Sequence, residues 1–254
     1  VNGDARRVGW GLVAVALLQT ALEWMSGQAW LEDWLALDRA WLLGGEVWRV
    51  ATYALLHGAP GEMLLRAIHL AVNAGVIVAF GKELEAAGDR RCFWWALGVG
   101  VVAGGLAHVA TSAAPVVGAS AGALAVLGAF AARFPRVELV VFAFFVLPVR
   151  LRAMHLLAGI AGLSLVMLIF GIYPAIGHAA HLGGCAAGWA IGAWKKPGAT
   201  PGGAARKPWP GVFGGEPGRE EMDRILDKVA AEGIHALTSR ERKVLERIGR
   251  RSGR

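Results

Sequence analysis

Cysteine is almost absent from this chain: Cys92 and Cys185 are the only two in 254 residues. Neither has a cysteine or histidine near it at a zinc-type spacing, so the sequence supports neither a metal site nor a disulfide framework. Both read as small apolar fillers. Charge is sparse as well. Asp, Glu, Lys and Arg make up 18% of the residues, and the long apolar runs are nearly free of them. That speaks against a transporter or channel, which would carry charge within its spans and break its helices at the midplane. The exceptions are Glu23, near the end of the first run, and Arg66, at the start of the second. The alternation of polar and apolar residues expected of a soluble domain of this size is also missing.

What is present is apolar length. The chain is 56% hydrophobic, with 36 Gly and 11 Trp. Several runs approach or exceed the roughly 18 apolar residues that cross a bilayer. They predict an all-α membrane protein with six spans, near residues 8–25, 64–81, 93–111, 117–133, 153–172 and 178–194. The first run leads into Glu32 and Asp33 without a small-residue cleavage site, so it is expected to stay as a span and not to act as a cleavable signal.

The net charge of +7 sits largely in loops and tail, where membrane proteins collect Lys and Arg, and does not require nucleic acid. Arg6 and Arg7 precede the first span, which puts the N-terminus in the cytoplasm. Lys82, Arg90, Arg91, Arg133, Arg136, Arg150, Arg152, Lys195 and Lys196 then also fall inside, and the C-terminal tail with them. The loops at 112–116 and 173–177 have no Lys or Arg and fall outside. The Trp-rich segment 26–63 suits the interface. Val137–Pro148 is strongly apolar but too short to span, with arginines on both sides. It is expected to lie at the interface and return to the cytoplasmic face.

Residues 1–195 therefore form the membrane domain, 196–217 a Gly/Pro-rich linker, and 218–254 a small helical hairpin tail. In the tail, Met222, Ile225, Leu226 and Val229 recur at helical spacing, and Gly233 offers a stop. Thr238-Ser239-Arg240-Glu241 is a capping-box pattern opening a second helix, with Leu245 and Ile248 inward. The tail carries no catalytic signal, and a partner for it is left open.

The polar residues within the spans carry the chemistry. Gly118-Ala119-Ser120-Ala121-Gly122 starts the fourth span, and Ala180-His181-Leu182-Gly183-Gly184 opens the sixth. The second carries His69 and Asn73, four residues apart and so on one helix face. With the charge-derived topology, all four polar residues lie at similar depth on the outer side. Small residues around Ser120 could be packing contacts alone. However, Gly184, Gly188 and Gly192 form a ridge that admits a neighbouring helix closely, and His181 lies one turn before it. Close helix approach could bring the His181 imidazole within hydrogen-bond reach of Ser120, as an activated serine requires.

His69 and Asn73 can both donate hydrogen bonds, which suits an oxyanion site completed by the Ser120 N–H. The plainer reading is that they bond to neighbouring helices. His178 competes with His181 but lacks the Leu-Gly-Gly that follows it, and is given a polar or gating place. His108 and His155 are expected to be bonded within the bundle, and His235 to lie apart in the tail.

Glu46-Val47-Trp48-Arg49, His57, His69-Leu70-Ala71-Val72-Asn73, the Gly118-Ala119-Ser120 motif and Ala180-His181-Leu182-Gly183-Gly184 occur in this order. Over residues 8–194 the set resembles the rhomboid family of intramembrane serine proteases, of the bacterial six-span type. The resemblance implies Ser120 as nucleophile and His181 as general base, a dyad without an aspartate. It implies His69 and Asn73 as oxyanion donors, and Glu46, Trp48 and Arg49 as braces in the first outer loop. Gly118, Gly184 and Gly188 are the small residues near the site, and 172–177 is the cap over it. It further implies single-span membrane substrates cut near the outer face, a lipid bilayer as surroundings, and no metal or other cofactor. The bacterial inner membrane is the expected location. The chain departs from the family pattern in having Ala121 after the serine, and in a longer interval from His57 to His69. A non-cleaving relative that binds membrane clients is the alternative; it would not need Ser120, His181, His69 and Asn73 together.

Overall fold

The computed structural model describes residues 3–26, 30–58, 63–143, 147–173 and 176–194, and in the tail 225, 227–229, 232, 234–238, 241 and 242. A long first helix, α1 (Asp4–Ser26), is followed by three short ones, α2 (Trp30–Leu35), α3 (Arg39–Leu43) and α4 (Arg49–Thr52), and by a 3-10 turn at Tyr53–Leu55. Then come α5 (Met63–Ala86), α6 (Arg90–Thr111), α7 (Ser120–Arg133), α8 (Ala153–Phe170) and α9 (His178–Trp194). Helices α1 and α5 to α9 fall on the six expected segments. Of these, α1, α5, α6 and α8 are long and apolar enough to cross a membrane. Helix α7 has 14 residues and α9 has 17, so length alone does not make them spans.

Local chemistry sets the ends of these helices. The Asp38 carboxylate accepts from the Ala40 and Trp41 N–H groups at the start of α3, and Asp89 accepts from Cys92 N–H at the start of α6. Pro135 cannot continue α7, and the residue before it, Phe134, leaves the helical region. Gly171 closes α8 in the left-handed conformation, with φ 63°.

The chain is not wholly helical. The segment expected at the interface forms a two-stranded hairpin, β1 (Glu138–Ala143) with β2 (Leu147–Arg152). Its branched residues favour strands, and Pro148 would interrupt a helix. Ala153 N–H donates to the Val137 carbonyl at 2.9 Å, so the hairpin leaves and returns at one place. In the tail, Thr238 and Glu241 bond reciprocally: Glu241 accepts from the Thr238 N–H at 2.8 Å, and Thr238 Oγ1 accepts from the Glu241 N–H at 3.3 Å. The Thr238 backbone and hydroxyl, with Lys228, hold the Glu241 carboxyl down at about 2. The linker 196–217 and Met222, Leu226, Gly233, Leu245 and Ile248 lie outside the described residues.

Helices α6, α7 and α9 meet through small residues. A Cβ at Gly184 would strike the Ala121 backbone, one at Gly188 the Ala125 backbone, and one at Gly192 the Ala129 backbone. The contact is reciprocal: a Cβ at Gly128 would come within 2.8 Å of the Cys185 carbonyl oxygen. Gly183 meets Ala103 and Gly104 of α6 in the same way. Apolar helices gain little from hydrophobic burial in lipid, so close backbone packing must hold them.

Helix α1 is tied to α5 differently. Arg66 and Glu23, the two charges noted within the apolar runs, form an ion pair of 2.8 Å with side chains 8% and 5% exposed. Gln19 donates to Glu23, and Arg66 also donates to the Gly58 carbonyl at 2.7 Å. Arg66→Gln, which leaves Glu23 buried without its cation, should cost about 3–5 kcal/mol, and Glu23→Gln with Arg66→Gln should recover much of it. Denaturation of the purified variants in detergent measures both; equal loss in the single and double variants would contradict the pairing.

Candidate active site

Three segments converge on Ser120. It is the first residue of α7, and the loop before it is pinned on both sides. Leu37 and Val116 form an antiparallel bridge, with N–O distances of 3.1 and 2.9 Å. Gly118 N–H then donates to the Tyr53 carbonyl at 2.9 Å. Gly118 has φ 123°, a conformation that glycine adopts without strain. A Cβ there would also come within 2.7 Å of His69 Cε1, so the glycine leaves room for that ring.

The segment between α1 and α5 fixes this loop. Arg49, only 2% exposed, binds Glu46 at 2.6 Å and donates to the carbonyls of Ala36 and Asp33 at 2.8 and 2.6 Å. Its guanidinium lies 4.0 Å from the Trp41 ring centroid. Trp48 Nε1–H donates to the Trp34 carbonyl at 3.2 Å. Tyr53 belongs to none of the motifs singled out in the sequence, yet it donates its hydroxyl to the Val101 carbonyl of α6 at 2.8 Å. Its one signal is a tyrosine close behind Trp48-Arg49 in a chain with two tyrosines.

Helix α9 brings His181 to Ser120. His181 Nε2 and Ser120 Oγ are 2.9 Å apart, within hydrogen-bond distance. Gly184 lies three residues after His181, and its contact with the Ala121 backbone joins the two helices next to this pair. Among the described residues, neither partner bonds to an acidic side chain, and no group of three or more His, Cys, Asp or Glu could hold a metal ion. His178 is occupied elsewhere: its Nε2 lies 3.1 Å from the Ile172 carbonyl, and its ring meets that of His181 edge-on at 6.2 Å.

His69 and Asn73 share a face of α5. The His69 ring packs beside Gly118 and lies 5.7 Å from that of His57. Asn73 is 4% exposed, and its Nδ2 donor is buried with no partner among the described residues. His57 is fully buried, and its backbone N–H donates to the Gln19 side chain of α1 at 3.2 Å. Ala121, which departs from the family pattern, is accommodated because α6 offers Gly104 opposite its methyl. His108 bonds to the Ala114 carbonyl at 2.8 Å, as expected. His155 does not follow that expectation: it is exposed near the start of α8, where its ring needs no internal partner.

No curated protein matches the chain significantly. Two family models do match. One, a family of unknown function, covers residues 217–251. The other, the Rhomboid domain, covers residues 44–197 and so includes Glu46, Arg49, His69, Asn73, Ser120 and His181. With that match over more than half of its length and four helices fit to cross a bilayer, the chain is an integral membrane protein that belongs to the rhomboid family.

Proposed function

We propose that this protein is an intramembrane serine protease that cuts transmembrane segments of other membrane proteins near the outer face. The observation that carries the reading is the 2.9 Å approach of His181 Nε2 to Ser120 Oγ. Membership of a family composed generally of such proteases supports it. With its own proton on Nδ1, His181 accepts the Ser120 hydroxyl proton at Nε2 as Oγ attacks the peptide carbonyl. The oxyanion is held by Ser120 N–H, His69 and Asn73, whose buried Nδ2 has a hydrogen bond still to give. His181 passes the proton to the leaving amine, and water hydrolyses the acyl-enzyme, returning Ser120 O–H. No metal or other cofactor enters these steps.

The same reading makes α7 and α9 spans, six in all, with both termini cytoplasmic and a bacterial inner membrane as the location. Helix α7 can be short because it is buried in protein from Ala121 to Ala131, and α9, with 17 residues, is close to the roughly 18 that span. Residues 1–195 are then the protease domain, 196–217 a linker and 218–254 a helical hairpin tail, open to regulating the membrane domain or to recruiting a partner; the separate family match at 217–251 supports a distinct module.

A fluorophosphonate probe should label the wild-type protein in detergent and leave Ser120→Ala and His181→Ala unlabelled. Labelling of Ser120→Ala equal to wild type would overturn the assignment, and a folded wild type that resists the probe would favour a client-binding relative. Asn73→Ala should slow cleavage of a single-span substrate by about 2–4 kcal/mol of barrier with little change in KM. An unchanged kcat would remove Asn73 from the oxyanion site.

A further inference from the structure

An open groove of about 870 Å³ runs along α6, away from Ser120. Arg90, Arg91 and Trp95 line one end, Gly98 the middle, and Val102 with Ala51 of α4 the other. At about 1.5 Å per residue, the rise from Arg91 to Val102 is roughly 16 Å, about half of the roughly 30 Å hydrocarbon core. The groove therefore has the depth of one leaflet, with cations at its interfacial end.

That end is positively charged in balance. Asp4 pairs with Arg90 and, at 3.5 Å, with Arg7, and accepts from Trp94 Nε1–H at 2.8 Å. A second carboxylate, Glu85, accepts from the Ala5 N–H at 3.1 Å beside Asp4, so two acids stand against Arg7, Arg90 and Arg91, and the Arg90 side chain remains 68% exposed. Arg91 is exposed and has no ion pair among the described residues. Trp95 is also exposed, as suits an indole at the headgroup level.

The geometry points to a binding site for an anionic phospholipid: the phosphate on Arg91 and Arg90, and one acyl chain laid along Gly98 and Val102 toward Ala51. Charge selects the headgroup, and the match of groove length to leaflet depth selects a lipid over a free anion.

Native mass spectrometry of the full chain, equilibrated with phosphatidylglycerol or phosphatidylcholine of the same acyl chains, tests the site. The wild type should retain phosphatidylglycerol about fivefold more, the preference expected of one arginine at an anionic surface. Arg91→Gln should abolish that preference. Gly98→Leu, compared at wild-type helix content, should reduce retention of both lipids; a Cβ at Gly98 meets nothing within 4 Å, so the side chain has room to enter the groove. Arg136→Gln, an exposed arginine outside the groove, should keep the wild-type ratio, and inorganic phosphate should not displace the lipid. The proposal fails if wild type shows no preference, if Arg91→Gln or Gly98→Leu behaves as wild type, if Arg136→Gln matches Arg91→Gln, or if phosphate alone competes.

Discussion

The fold rests on backbone meeting backbone between α7 and α9. Gly184, Gly188 and Gly192 each occupy a place where a methyl group would strike the helix carrying Ser120. Lipid gives apolar helices little reason to associate, so close approach supplies the dispersion contacts that bulky side chains would prevent. The same approach has a chemical consequence. It sets the helix separation that leaves His181 Nε2 2.9 Å from Ser120 Oγ.

A second constraint acts from the other side. The loop before Ser120 has little regular structure of its own, so its position comes from neighbours. Arg49 gathers the carbonyls of Ala36 and Asp33, Leu37 bridges to Val116, and Tyr53 ties Gly118 to α6. A buried arginine whose donors are met by an acid and two carbonyls is well suited to ordering a chain that lacks helical bonds. The polar residues of this segment thereby help to place Ser120 without touching it.

Much of this was legible because the forces are periodic or local. Apolar length located all six helices, the ridge of glycines marked the close face of α9, and Thr238 with Glu241 announced a capping box. The β-hairpin was not legible, since a short apolar run reads alike as interfacial helix or strand, and pairing between its halves decides. Tyr53 was missed because its role lies in a partner, the Val101 carbonyl, that no spacing reveals. His155 was misplaced because one histidine on an apolar helix does not tell which face turns inward.

The most direct measurement is the fluorophosphonate labelling rate of Gly184→Ala, compared with wild type in samples of equal helix content. The added methyl must push α9 from α7 beside the Ser120–His181 pair. A displacement of about 1 Å should slow labelling by about a hundredfold while the protein stays folded. A wild-type rate in the folded variant would contradict the claim that this helix contact sets the pair.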